Sequence, residues 1–298
     1  MSTKEQIIYV LGDSFAGHRS NADWNRDPNM NKPWSWVNLL ESELCHTMLG
    51  KSFGGQSFWH QRRQLFRDLF PIPGDMVTNS GMLKNNEPNT ILIICHTETH
   101  RLPVRSKNLS VTGHILNADK HDPHSNEIYN FDPSGSLFDL VKAFYLSELF
   151  VYDFYDNAFY TWLNELPALT KNFKKVIHFF GFKNGMDTLP NRVSRFYLDK
   201  LLAPNAVIVK TLLLSLHQAE RGNKSTWGGP DVGDDRANHF NLHNNRQMFE
   251  EIKHIIENVP GGDYHEINLA NWDLKNELFV ELLKPHRLDF DPNNDPLA

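Results

Sequence analysis

The sequence contains only two cysteines, Cys45 and Cys95, among its 298 residues. One stands in a predicted helix and the other in a predicted buried strand, so the fold is not expected to depend on disulfides. With 40% hydrophobic residues, a chain of this length can bury a full core instead. The composition favours a globular protein that folds in a reducing compartment such as the cytoplasm.

Positive charge and long apolar runs are also scarce. The formal net charge is -6, so no basic surface for nucleic-acid phosphates is expected. No apolar run is long enough to span a membrane. The segment Met1–Gln6 has neither the basic nor the apolar part of a secretory signal. We expect no nucleic-acid partner, no membrane insertion and cytoplasmic synthesis without a signal peptide.

Sequence patterns that hold metals or phosphates are missing as well. The stretch His121–His124 includes two histidines, but no further ligand follows at a defined spacing. The pair Gly228-Gly229 lacks the lysine and the spaced glycines of a phosphate loop. The sequence therefore predicts a protein with no metal and no cofactor.

Short apolar runs alternate with helical patterns along the chain. Strands are predicted at about Gln6–Leu11, Gly50–Phe53, Thr90–Cys95, Lys175–Phe180 and Ala206–Leu213. Helices are predicted at about Ser35–Met48, Ser57–Phe70, Leu137–Leu166, Val193–Leu201 and Leu242–Ile256. Nearly continuous apolar strands are typical of a parallel sheet that is covered on both faces. The alternation predicts a flavodoxin-like three-layer α/β/α sandwich with a mainly parallel sheet.

Two polar stretches interrupt this pattern. We expect one domain over residues 1–283, with polar insertions at about 18–33 and 102–133 and a C-terminal tail at 284–298. Long loops often form lids or substrate walls, and solvated excursions without a role are equally compatible with the sequence.

The tetrad Gly12–Phe15 follows directly after the apolar run Ile7–Leu11. A sharp Gly-Asp-Ser turn at the end of a strand would lift the hydroxyl of Ser14 to the edge of the sheet, which suits a nucleophile. A serine needs a base within hydrogen-bond reach and donors that stabilise the oxyanion. The simpler interpretation is that Asp13 and Ser14 cap a helical turn.

Residues that fit these needs stand elsewhere in the chain. His239 follows two aspartates, Asp234 and Asp235, just before a predicted helix, so it could act as a general base. Gly55, in Ser52–Ser57, leaves a backbone N–H uncovered that could bind an oxyanion, although turn glycines are common. The backbone N–H of Ser14 would be a second donor.

In the order Ser, Gly, then Asp before His, the chain resembles the SGNH (GDSL-type) hydrolases, and in particular phage-encoded SGNH-like proteins. The resemblance implies that Ser14 is the nucleophile. It favours His239 over His243 as the base, because Met248 and Phe249 follow it at the family's apolar positions. His243 is then an exposed residue in the first turn of the helix.

The chain departs from the family at two places. Arg236 stands where the orienting aspartate is usual, so both Asp234 and Asp235 stay candidates. Where the family has an asparagine that completes the oxyanion hole, this chain has Glu98, which cannot donate when ionised. Thr97 or His96 would then have to donate. Loss of one such donor lowers turnover about 100- to 1000-fold in other hydrolases.

The resemblance implies a serine esterase that works through an acyl-enzyme. Polar loops and Trp24, Trp34, Trp36 and Trp59 near the motifs favour an acetylated polysaccharide as substrate, although tryptophans more often pack in a core. The phage-like motifs suggest a virion protein that acts on a host surface glycan. The alternative is an SGNH-fold structural or glycan-binding virion protein with little activity. A homo-oligomer and a virion partner both stay open.

Overall fold

The structure is a computed structural model, and it describes the following segments of the chain. These are residues 6–16, 35–44, 47–49, 52, 57–70, 81–97, 99, 102–104, 109–111, 139, 143, 152–182, 191–222 and 240–283. For residues 14, 102–104, 109–111, 152–154 and 191–194 the description covers the backbone alone.

The centre of the fold is a six-stranded sheet in which every neighbouring pair of strands is parallel. In chain order the strands are β1 (Ile7–Leu11), β2 (Thr47–Leu49), β3 (Thr90–His96), β4 (Leu102–Val104), β5 (Leu109–Val111), β6 (Lys175–Phe180), β7 (Ala206–Val209) and β8 (Asp263–His265). The large sheet has the order β2-β1-β3-β6-β7-β8, and β4 pairs with β5 in a separate antiparallel hairpin.

Helices cover both faces of the large sheet. They are α1 (Trp36–Glu43), α2 (Phe58–Leu69), α3 (Tyr152–Thr170), α4 (Asn191–Leu201), α5 (Leu213–Arg221) and α6 (Leu242–Asn258). Buried side chains of α1, α5 and α6 form one core with the sheet, and those of α2, α3 and α4 form a second core on the opposite face. This confirms the predicted three-layer α/β sandwich.

Strand β1 shows why the sheet sequences are apolar without interruption. Ile8 and Val10 pack in the core beneath α1, α5 and α6, whereas Tyr9 and Leu11 pack in the core beneath α2, α3 and α4. Successive side chains of a strand point to opposite faces. Because both faces are covered by helices, each of these positions is buried, and the strand needs no alternating polar residues.

Most predicted elements lie within a few residues of the observed ones. Strands β1, β3 and β6 and helices α2, α4 and α6 confirm their predictions. The predicted helix Leu137–Leu166 continues in α3 as far as Thr170, and nearly all of its first part falls outside the described residues.

Two predicted elements were too long, and each extended into the element that follows it. The predicted helix Ser35–Met48 ends at Glu43, and Thr47–Leu49 forms β2, which was expected later, at Gly50–Phe53. The predicted strand Ala206–Leu213 ends at Val209, and α5 begins at Leu213. In both places only two polar residues, His46-Thr47 and Lys210-Thr211, interrupt the apolar residues at the boundary, so periodicity does not mark the change of element.

The predicted insertions and the tail lie largely outside the described residues. Segment 18–33 and tail 284–298 are not among them, and of segment 102–133 only the β4–β5 hairpin is described. Among the helices of the described segments, none has the length and apolar character that crossing a membrane requires.

Candidate active site

Gly12 allows the chain to turn closely at the end of β1. A Cβ at this position would lie 2.4 Å from the Cβ of Ala16 and 2.9 Å from the Cβ of Cys95. Both distances are shorter than side chains tolerate, so only glycine fits between the turn and the neighbouring strand β3. The close approach presses the turn that carries Ser14 against the centre of the sheet.

The carboxylate of Asp13 holds this turn in place. Residues Ser14–Ala16 form one turn of 3-10 helix, and the N–H of Ala16 donates to the carbonyl of Asp13 at 3.0 Å. Asp13 Oδ1 accepts from the N–H of Phe15 at 3.0 Å. Asp13 therefore caps the turn, as the simpler interpretation of the motif predicted. The side chain of Ser14 lies outside the described part of the structure.

Thr97 also supports the turn. Its hydroxyl donates to Asp13 Oδ2 at 2.7 Å, and the residue is fully buried. A hydroxyl has a single proton. While this hydrogen bond is intact, the side chain of Thr97 has no proton for an oxyanion, so the predicted donor role would require that the bond break.

His96, the other candidate for the third donor, is buried beside aromatic rings. Its ring stacks on Phe180 with centroids 4.6 Å apart, and its Nε2 is 3.0 Å from Nδ1 of His178. Burial, followed by the neighbouring His178, holds the pKa of His96 well below its ordinary value. The ring is therefore neutral at physiological pH.

The residue after the predicted nucleophile contacts the residue after the predicted base. Phe15 and Phe240 are both fully buried, and their ring centroids are 6.0 Å apart. Trp272 packs edge-on against Phe240 at 5.7 Å. Two segments that are remote in sequence thus meet at the end of β1.

A chain of hydrogen bonds joins the same two segments. Trp36 Nε1 donates to the carbonyl of Phe15 at 2.8 Å, and the backbone N–H of Trp36 donates to Asn245 Oδ1 at 2.9 Å. Asn245 Nδ2 in turn donates to the carbonyl of Phe240 at 2.9 Å and to that of Asn241 at 3.1 Å. We call Trp36 and Asn245 the bridging pair.

A second set of contacts fixes the start of α6 on its other side. The carboxylate of Glu220 accepts from the backbone N–H of Asn241 at 3.1 Å and from Asn244 Nδ2 at 2.6 Å. Asn244 Oδ1 accepts from the N–H of Asp273 at 2.8 Å. The N-cap of α6 is Asn241, whose side chain accepts from the N–H of Asn244. The first turn of α6 is therefore held against α5 and the segment that follows β8.

Several predicted site residues lie outside the described residues, namely Gly55, Asp234, Asp235 and His239. Of the alternatives, His243 is exposed as predicted, with its Nε2 2.6 Å from the carbonyl of Asn271. Met248 and Phe249 are buried, which agrees with their expected apolar positions on α6.

The four tryptophans that were candidates for sugar stacking differ in burial, and two of them are described by the structure. Trp36 is fully buried, and its indole N–H donates to the carbonyl of Phe15, so it belongs to the core. Trp59 is half-buried and packs on Phe58 at 4.7 Å. Trp24 and Trp34 lie outside the described residues.

In the described segments, no cluster of three or more His, Cys, Asp or Glu side chains is arranged to hold a metal ion.

The sequence predicted Asp13 as a cap of the turn but missed the contributions of Trp36 and Asn245. Asp13 carries a signal, because aspartate is a favoured cap beside a turn. Trp36 and Asn245 carry none, since their partners are distant in sequence.

No family model, curated protein or solved structure matches this chain. The resemblance to SGNH hydrolases therefore depends on the residues and contacts named above, and the function that follows from it is a proposal.

Proposed function

We propose that the protein is a serine ester hydrolase of the SGNH class. Ser14 is the nucleophile, His239 is the general base, and Asp234 or Asp235 orients the imidazole. The observation that carries this proposal is the contact between Phe15 and Phe240, the residues directly after the nucleophile and the base. This contact supports a common location for the two motifs, and it does so without evidence from the side chains of Ser14 and His239 themselves.

The proposed reaction has two steps. His239 takes the proton of the Ser14 hydroxyl as the Ser14 oxygen attacks the ester carbonyl carbon, and it then passes that proton to the departing alcohol. Water next attacks the acyl-enzyme, with His239 again as base, and releases the acid and free Ser14. The backbone N–H groups of Ser14 and Gly55 stabilise the oxyanion in both steps. The mechanism needs no metal or cofactor.

The proposed substrate is an acetyl ester on a polysaccharide. Support comes from the composition of segments 18–33 and 102–133, which are polar rather than apolar and therefore unlike a lipid-binding lid. Trp24 and Trp59 are candidates for stacking on sugars. The phage-like motifs extend the proposal to a virion esterase that deacetylates host surface glycans.

One observation favours a second candidate, an SGNH-fold structural or glycan-binding virion protein with weak catalysis. The hydroxyl of Thr97 is engaged with Asp13, and the ionised side chain of Glu98 cannot donate. An oxyanion hole with only two backbone donors would slow acyl transfer about 100- to 1000-fold relative to one with three.

Hydrolysis of p-nitrophenyl acetate and labelling by a fluorophosphonate test the proposal. The wild type should show both reactions, and Ser14→Ala should lower kcat at least about 1000-fold and abolish labelling. Ser42→Ala is the matched control, because Ser42 is exposed on α1. It should retain wild-type turnover and labelling.

The outcomes separate the two candidates. Wild-type turnover that survives Ser14→Ala would contradict the esterase proposal. A wild type that neither hydrolyses the acetate nor reacts with the fluorophosphonate, but still binds glycan, would support the structural candidate.

A further inference from the structure

The bridging pair, Trp36 and Asn245, connects the segment after Ser14 with the segment after His239. Its hydrogen bonds run from the carbonyl of Phe15 through Trp36 and Asn245 to the carbonyl of Phe240. Both side chains are fully buried. No water can replace these bonds without opening the core, so the separation of the two segments is fixed by the length of the bridge.

Each polar atom of Asn245 has a defined use in this bridge. Oδ1 accepts from the N–H of Trp36, which is the first residue of α1 and has no intrahelical acceptor. The two N–H bonds of Nδ2 go to the carbonyls of Phe240 and Asn241. A buried amide with all its bonds satisfied is a rigid connector. Asn245 thus couples the start of α1 to the residues directly after the predicted base.

We propose that Trp36 and Asn245 are positioning residues for the catalytic pair: they set the distance between the Ser14 turn and the His239 segment. This inference rests on the proposed function, because it assigns a catalytic purpose to the bridge. The observed bonds of both side chains go to backbone groups, so we assign them a positioning role and not a catalytic one. A displacement of about 1 Å in such a pair can lower turnover about 100-fold, so the bridge should act on kcat.

Asn244 provides a control for a purely structural role. It lies next to Asn245 in the first turn of α6 and is equally buried. Its side chain bonds to Glu220 and Asp273, and none of its observed bonds reaches the Ser14 turn. Loss of either asparagine side chain removes buried hydrogen bonds, so both changes should destabilise the protein. Only the loss of Asn245 breaks the bridge.

The experiment compares Asn245→Ala with Asn244→Ala, using p-nitrophenyl acetate as substrate and urea unfolding to measure stability. We expect Asn245→Ala to lower kcat about 10- to 100-fold with little change in KM. Asn244→Ala removes bonds that hold the start of α6 but leaves the bridge to the Ser14 turn intact, so it should lower kcat less than Asn245→Ala does. Equal kcat losses in the two variants, or an unchanged kcat in Asn245→Ala, would overturn the proposal.

A second pair of variants tests the other end of the bridge in case Asn245→Ala does not fold. Trp36→Phe removes the indole N–H that binds the carbonyl of Phe15. Trp162→Phe removes an equally buried indole from the opposite core, whose Nε1 has no partner among the described residues. Trp36→Phe should lower kcat by the same 10- to 100-fold factor, about that expected for Asn245→Ala, whereas Trp162→Phe should not. The reverse order would overturn the proposal.

A measurement without turnover separates this inference from the proposed function. The NMR signal of the His239 ring, assigned with His239→Gln, should move when Ser14 is changed to Ala. In an Asn245→Ala background the same change should leave the signal in place. If the wild type lacks Ser14-dependent turnover, the esterase proposal fails. The response of the His239 signal to Ser14→Ala still tests whether Trp36 and Asn245 position the two residues. A ring signal that never responds to Ser14, or responds equally in both backgrounds, would overturn it.

Discussion

His96, the last residue of β3, and His178, two residues before the end of β6, form a buried, stacked pair. Their ring centroids are 5.3 Å apart with an interplanar angle of 10°, and each residue is about 1% exposed. Burial lowers the pKa of His178 to about 3 and, together with His178, lowers the pKa of His96 well below its ordinary value. The pair therefore remains neutral in the folded protein at pH values where an unfolded chain would protonate both rings.

This pair predicts a loss of stability in mild acid. Below about pH 6.5 the unfolded chain binds protons that the folded pair excludes. The stability that the pair contributes is present above that pH and falls as the pH drops toward the folded pKa, by up to about 1.4 kcal/mol per pH unit for each histidine. Urea unfolding between pH 7.5 and pH 4.5 should show this decline, with a smaller slope in His178→Gln.

His254→Gln is the control for that measurement, because His254 is exposed on α6. Other groups also titrate in this range, so the difference between variants carries the test. Parallel stability curves for wild type and His178→Gln would contradict the account of a neutral buried pair.

At the scale of elements, Lys175 ties the sheet to the end of a helix. It is the first residue of β6, and its Nζ donates to the carbonyls of Ile255, Ile256 and Val259 at 2.7, 2.9 and 2.8 Å. The last carbonyls of a helix lack intrahelical donors and carry partial negative charge. The ammonium group of Lys175 supplies hydrogen-bond donors and a positive charge to these carbonyls at the C-terminal end of α6.

Removal of this cap should destabilise the protein measurably. We expect Lys175→Met to lower the free energy of unfolding by about 1–2 kcal/mol, because it removes charge-assisted bonds to three carbonyls. Lys174→Met is the matched control, since Lys174 is exposed and the one observed bond of its Nζ goes to the side chain of Gln6. Its expected effect is within about 0.5 kcal/mol. Equal losses in the two variants, measured by urea unfolding, would contradict the cap.

The elements that could be predicted from sequence are those with long apolar patterns. Strands β3 and β6 are buried on both faces and have continuous apolar runs. Helix α5 was missed because only Lys210 and Thr211 separate the apolar run of β7 from Leu212–Leu214, and a short run has no distinct period. Strand β8, at an edge of the sheet, was missed because Asp263-Tyr264-His265 is polar and partly exposed.

The candidate site was predicted only in part, for a related reason. The motif at Gly12–Phe15 is local, so sequence alone identifies both a turn and a hydroxyl near a strand end. The bridge between Trp36 and Asn245 depends on two helices that pack side by side beneath one face of the sheet. No spacing rule joins residues so far apart, and only the folded arrangement reveals the contact.

At the scale of the whole molecule, the parallel sheet brings together segments that flank the candidate site. β1 and β3 are neighbours in the sheet, so the residues that follow them, Asp13 and Thr97, meet and form a hydrogen bond. Helices α1 and α6 lie on the same face and join the segments after Ser14 and His239. The position of ligands beyond the carboxyl ends of strands is a general property of such sheets.

The convergence of Ser14 and His239 is the claim on which the account depends, and a crystal structure of the fluorophosphonate-treated protein tests it most directly. We predict phosphorus bonded to Ser14 Oγ, a phosphoryl oxygen bound by the N–H of Gly55, and an imidazole nitrogen of His239 about 3 Å from Ser14 Oγ. An unmodified Ser14, or a His239 ring farther away than one water molecule can bridge, would contradict it.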